Sequence, residues 1–123
     1  MFKKQGSGHL VLISSVLGNK GVPGVKAAYA ASKAGVSSLG ESLRAEYPTG
    51  PIAVTVLEPG YIESEMTAKS QSTLLMVDNE TGVAKMVDAI EKERGRAIVP
   101  GWPWVPMVAL LIALPRRFTK TFA

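Results

Sequence analysis

The chain has 123 residues, of which 46% are hydrophobic and 20% charged. That length points to one domain at most, and that balance excludes a disordered or collagen-like chain. With no cysteine and a single histidine, His9, it has no disulfide framework, no thiolate nucleophile, and no metal site built on cysteines or clustered histidines. The net charge of +4 is dispersed: Lys3 and Lys4 lie at one end, Arg116, Arg117 and Lys120 at the other, and the middle is mixed. No basic stripe interleaved with aromatics marks a nucleic-acid surface. The lack of cysteine suits a reducing, cytoplasmic setting.

Taken in chain order, Met1 to Gly6 is followed by too short an apolar run, and no small-residue cleavage site, for a signal peptide. His9 to Ile13 is a continuous apolar run between glycine and serine, which predicts a buried strand of a parallel sheet. Gly18, Gly21, Pro23 and Gly24 predict a loop. From Ala27 to Glu46 good helix formers dominate, with Val36, Leu39 and Leu43 at helical spacing. Gly35 and Gly40 lie inside that helix, each costing about 1 kcal/mol relative to alanine, and predict close packing there. Pro48, Gly50 and Pro51 stop it. Ile52 to Leu57 is rich in β-branched residues and predicts a second strand, ended by Glu58-Pro59-Gly60.

A long loop runs from Tyr61 to Asp78, carrying Met66, Leu74, Leu75 and Met76. Thr81 to Glu93 then predicts an amphipathic helix with Val83, Met86, Val87 and Ile90 on one face and Gly95 beyond its end. Ala97 to Val99 predicts a short third strand. Alternation of strand and helix defines an α/β fold with a parallel sheet and right-handed crossovers. Residues 1–100 form this part; residues 101–123 are an apolar tail. Its longest apolar run, Val105 to Leu114, is interrupted only by Pro106 and falls short of the about 20 residues needed to span a bilayer. The tail has two readings: a helix that completes the core or a substrate pocket, or a segment at a membrane interface, with tryptophans at one end and Arg116-Arg117 at the other.

The candidate chemistry lies in Ser14-Ser15 at the end of the first strand and Tyr29-x-x-x-Lys33 at the start of the long helix. Tyrosine and lysine at this spacing share a helix face. A phenol is a poor proton exchanger at neutral pH, and a neighbouring ammonium favours its phenolate form. A hydroxyl from the strand end could hold a carbonyl or alcohol oxygen beside the phenol. Such a set could protonate a carbonyl as hydride arrives, or deprotonate an alcohol as it leaves. By itself the motif is as compatible with an ordinary helix surface and an ordinary serine turn.

The stretch LVLISSVLGNKGVPGVKAAYAASKAGVSSL, followed by VTVLEPGYIESEM, resembles the short-chain dehydrogenase/reductase family. The Ser-Ser strand end, the Gly18…Gly21-x-Pro23 loop, Tyr29-x-x-x-Lys33-Ala34 and Pro59-Gly60 occur in the family's order, and the resemblance covers about residues 6 to 99. It implies the C-terminal, catalytic part of a Rossmann-like doubly wound sheet. It implies an NAD- or NADP-dependent oxidoreductase acting on an alcohol or carbonyl substrate, with Tyr29 as acid/base. Lys33 would assist Tyr29 and bond the nicotinamide ribose, and Ser15 would orient the substrate oxygen. Pro59 and Gly60 would pack beside the nicotinamide, and Ile62 and Ser64 would bond its carboxamide. The loop after Gly60 would be a substrate lid, its Met and Leu content suggesting an apolar substrate. The helix bearing Tyr29 would serve a homo-oligomer interface in the full-length protein.

Two departures stand out. Ser15 and Tyr29 are fourteen positions apart, one more than is usual in the family, which leaves Ser14 as the alternative to Ser15. The family's G-x-x-x-G-x-G turn, whose backbone cradles the cofactor's pyrophosphate, does not occur in these 123 residues, nor does the upstream catalytic asparagine. The chain therefore reads as the nicotinamide half of such an enzyme. The other reading is a truncated, non-catalytic fragment or an interaction protein that pairs with a full-length relative.

Overall fold

The computed structural model describes residues 1–21, 23–60 and 78–117. A short helix α1 (Phe2–Gln5) precedes strand β1 (Gly8–Ile13), a 3-10 turn (Val16–Asn19), helix α2 (Lys26–Glu46) and strand β2 (Ile52–Pro59). Helix α3 (Asn79–Glu91), strand β3 (Arg96–Val99) and helix α4 (Gly101–Ala113) follow. The strands form one parallel sheet in the order β1-β2-β3, with Gly8 opposite Ile52 and Val56 opposite Arg96. The expected α/β architecture is present; α1 is an element the sequence reading did not foresee.

The period-2 alternation of the strands sorts their side chains onto two faces. Leu12, Val56 and Glu58 face α2: a Cβ at Gly40 would strike the side chains of Val56 and Leu12, and Glu58 bonds Ser37. Val11 and Leu57 face α3, packing with Met86, Ala89 and Ile90. His9 is on that second face too, its Nε2 2.7 Å from Oγ1 of the fully buried Thr55.

The faces the helices bury differ from those expected. On α2 the buried residues are the small Ala30 and Gly40, whereas Leu39 is 54% exposed. Gly40 is needed because helix and sheet approach too closely for any side chain; Gly35 faces open space. On α3 the inner stripe is Gly82, Met86, Ala89 and Ile90, with Val83 and Val87 exposed. Asp78 caps α3, its carboxylate accepting from the Thr81 N–H at 3.1 Å. The left-handed residue that ends the helix is Glu93 (φ 50), ahead of Gly95.

Helix α4 closes the carboxyl end of the sheet. Trp102 is extended (φ −103, ψ 132), as suits a residue before proline, so the regular helix starts at Pro103. Pro106 then costs no helical bond, because the carbonyl its N–H would have used belongs to the non-helical Trp102. The inner side of α4 buries Trp104, Val108 and Leu111 against Val16, Leu17, Ala30 and Ile98.

Candidate active site

The chain brings Ser14, Ser15, Tyr29, Lys33, Pro59 and Gly60 to the carboxyl ends of β1 and β2 and the adjoining start of α2, the end at which open α/β sheets bind ligands. The approach of turn to helix depends on Gly18. A Cβ there would stand 2.9 Å from the Lys33 backbone carbon and 3.0 Å from the Ala34 nitrogen. Glycine lets the turn that carries Ser15 lie directly on the backbone of Lys33.

The two serines have different hydrogen bonds. Ser14, 2% exposed, donates to the Lys33 carbonyl at 2.8 Å and lies 2.6 Å from the Ser37 hydroxyl, so it fastens β1 to α2. Ser15 accepts from the Leu17 N–H at 3.2 Å, capping the turn. Its own hydroxyl proton finds no acceptor among the described residues. One serine is occupied by the scaffold, and the other keeps a donor in hand.

Lys33 Nζ donates to the carbonyl of Ile13, the last residue of β1, at 3.2 Å, and stands 5.7 Å from the centre of the Tyr29 ring. An ammonium has three donors, so two remain. Tyr29 is half-buried against the cluster of Leu17, Ala30 and Leu111, with Met107 and Leu114 alongside. At the next strand end the Gly60 N–H donates to the Val99 carbonyl at 2.7 Å, and any Cβ on Gly60 would fall on the Trp104 indole. Ile62, Ser64 and the expected substrate lid lie outside the described residues.

Behind this corner is a polar network the sequence reading missed. Glu58, 1% exposed, accepts from Arg96 at 2.9 Å, from Asn19 at 3.2 Å and from Ser37 at 3.2 Å. Asn19 in turn accepts from Arg96 at 2.7 Å. Since Ser37 also bonds Ser14, Glu58 ties together β2, β3, the turn and α2. These residues line a cleft of about 360 Å³ with Gly18, Glu41 and Arg44. The signal was available: Glu58 continues the alternation of Val54 and Val56, which puts an acid on a buried face.

A family model for short chain dehydrogenases matches residues 1–75. The chain is 76% identical over all 123 residues to an uncharacterized oxidoreductase of Mycobacterium tuberculosis, of which it covers 49%. It is 37% identical over 114 residues to one from Myxococcus xanthus, covering 92% of this chain and 41% of that protein. Among solved structures, a short chain dehydrogenase from Burkholderia cenocepacia in complex with NADP superposes with a TM-score of 0.73 at 22% identity. That match covers 97% of this chain and 48% of the other. The chain belongs to the short-chain dehydrogenase/reductase family, a family of oxidoreductases, and spans about half the length of the curated relatives it matches.

Proposed function

We propose that this chain forms the nicotinamide- and substrate-facing half of an NAD(P)-dependent oxidoreductase acting on a carbonyl or alcohol. The observation that carries this reading is Lys33, bonded to the end of β1, beside the ring of Tyr29, with two donors left for ribose hydroxyls. The residues suit the nicotinamide end of the cofactor. Tyr29 and Lys33 lie at the crevice, Pro59 and Gly60 edge it without a side chain on Gly60, and Ile62 and Ser64 follow. The sequence holds no G-x-x-x-G-x-G turn for the pyrophosphate, so that part of the site belongs to a complementary half of the fold. When bound, the cofactor supplies or accepts the hydride.

Tyr29 gives a proton to the carbonyl oxygen in reduction and takes one from the alcohol in oxidation. Lys33 stabilises the negative charge on the phenol oxygen and holds the ribose. Ser15 donates its spare proton to the substrate oxygen, which fixes that oxygen beside Tyr29. Ser14 holds the strand end against α2 and does not touch substrate, which supports Ser15 over Ser14 for this role. The apolar cluster of Leu17, Ala30 and Leu111 on which Tyr29 packs favours an apolar substrate.

The test is Tyr29→Phe in the protein expressed at the length of its relatives, with NAD(P)H consumption followed on a panel of aliphatic and aromatic ketones. Turnover should fall by about 100-fold or more, while nicotinamide binding, read by fluorescence, persists. Full turnover in Tyr29→Phe would overturn the assignment.

A further inference from the structure

Helix α4 is apolar on every side but covered on only one. Trp104, Val108 and Leu111 are buried, yet Trp102 is 81% exposed, Val105 53%, Leu110 51% and Ile112 51%. No charged or hydrogen-bonding side chain other than the tryptophan indoles occurs between Gly101 and Pro115. A helix apolar all round is ordinarily buried in a core or in lipid.

The charge around it points to what covers the outer face. From Arg94 to Ala123 the chain carries Arg94, Arg96, Arg116, Arg117 and Lys120 and no acidic residue. Arg116 and Arg117 are exposed directly beyond the helix, and Lys20 Nζ reaches the Ile112 carbonyl at 3.0 Å at the same end. Trp102 marks the opposite end, a residue suited to headgroup depth. The regular helix from Pro103 to Ala113 is about 16 Å long, and no helix among the described residues is long and apolar enough to cross a membrane. With its inner side packed on the protein, such a helix can lie along a membrane surface but not cross it.

We infer that the outer face of α4, with Trp102, Val105, Leu110 and Ile112 inserted and Arg116 and Arg117 at the headgroups, docks on an anionic phospholipid surface. A second copy meeting this face about a two-fold axis would bring the same apolar helix and the same acid-free, basic segment from Arg94 to Ala123. The inference does not depend on the oxidoreductase reading, because lipid binding and turnover are separate readouts.

Co-sedimentation of the full chain with vesicles of phosphatidylcholine alone, or with a third phosphatidylglycerol, tests it. Circular dichroism confirms that each variant is folded. The folded chain should bind the anionic vesicles preferentially. Val105→Asp with Ile112→Asp, at exposed positions, should abolish binding, and Arg116→Gln with Arg117→Gln should weaken it roughly thirtyfold. Any one of five results would overturn the inference, the first three being no binding to anionic vesicles, equal binding to both compositions, and binding unchanged in the aspartate pair. The fourth is a lipid-free dimer that the aspartate pair dissociates, which would give the face to a second copy. Binding by this chain but not by a form with the length of its relatives would likewise overturn it, by assigning the face to the rest of the fold.

Discussion

Removing Glu58 measures how much of the stability of this corner of the fold depends on one buried acid. In Glu58→Ala, Asn19 keeps its bonds to the Val16 carbonyl and to Arg96, and Ser37 keeps Ser14. The half-exposed Arg96 side chain, 48% accessible, can turn the donor released by Glu58 to water. What is lost is chiefly one charge-assisted bond and the packing of the acid's stem, so we expect a loss of about 3 kcal/mol. Arg96→Met should cost as much or more, because it strands a carboxylate with no cation inside the protein, a situation worth about 3–5 kcal/mol. The diagnostic variant is the double one, Glu58→Leu with Arg96→Met, which replaces the pair by apolar groups. It should be more stable than Arg96→Met alone. Urea unfolding followed by tryptophan emission suits the comparison, since Trp104 is 1% exposed and its surroundings change on unfolding. A double variant as unstable as the sum of its parts would refute the reasoning, as would a Glu58→Ala protein indistinguishable from the parent.

Other expectations follow from single contacts. Gly40→Ala should lower stability by about 1–3 kcal/mol through overpacking, and pairing it with Val56→Ala should recover part of that loss in the same urea assay. Trp104→Ala empties the largest buried side chain and should cost about 3–5 kcal/mol. Asp78 has its carboxyl held below the ordinary 3.8, chiefly by the hydrogen bond from Thr81. A depressed folded-state value means the cap stabilises above the ordinary value and fades as pH falls through the folded one. The melting-temperature gap between the parent and Asp78→Ala should therefore be full at neutral pH and close in acid; a gap that persists unchanged at pH 2 would contradict this.

Much of the architecture could be read directly. The strands were legible because each is an apolar or β-branched run bounded by Gly, Pro or Ser, and each observed strand lies within two residues of its expected bounds. The existence of α2 and α3 was equally clear, although α1 was not foreseen, and helix orientation was not legible. Hydrophobicity pointed to Leu39, Val83 and Val87, while the buried stripes are built from Ala30, Gly40, Gly82 and Ala89. Where a helix lies close on a sheet, the space selects for small side chains, and a stripe of small residues has little hydrophobic contrast. That Tyr29 and Lys33 share one face of α2 was legible from their spacing. The different tasks of Ser14 and Ser15 were not, since adjacent serines differ only in which way the chain turns after β1. For Glu58 the alternation with Val54 and Val56 was outweighed by its position ahead of Pro59-Gly60, where an acid reads as the start of a loop.

Tyr29 stands between two kinds of surroundings that tolerate change very differently. On one side, the Ser14–Ser37–Glu58–Arg96 chain fastens its helix with directional bonds, each of which fails if a partner is altered. On the other, it packs against the apolar cluster of Leu17, Ala30 and Leu111, whose side chains can be exchanged for similar volumes at less than about 1.5 kcal/mol. Changes of side-chain volume in the apolar cluster are therefore tolerated more readily than changes in the hydrogen-bonded network behind α2.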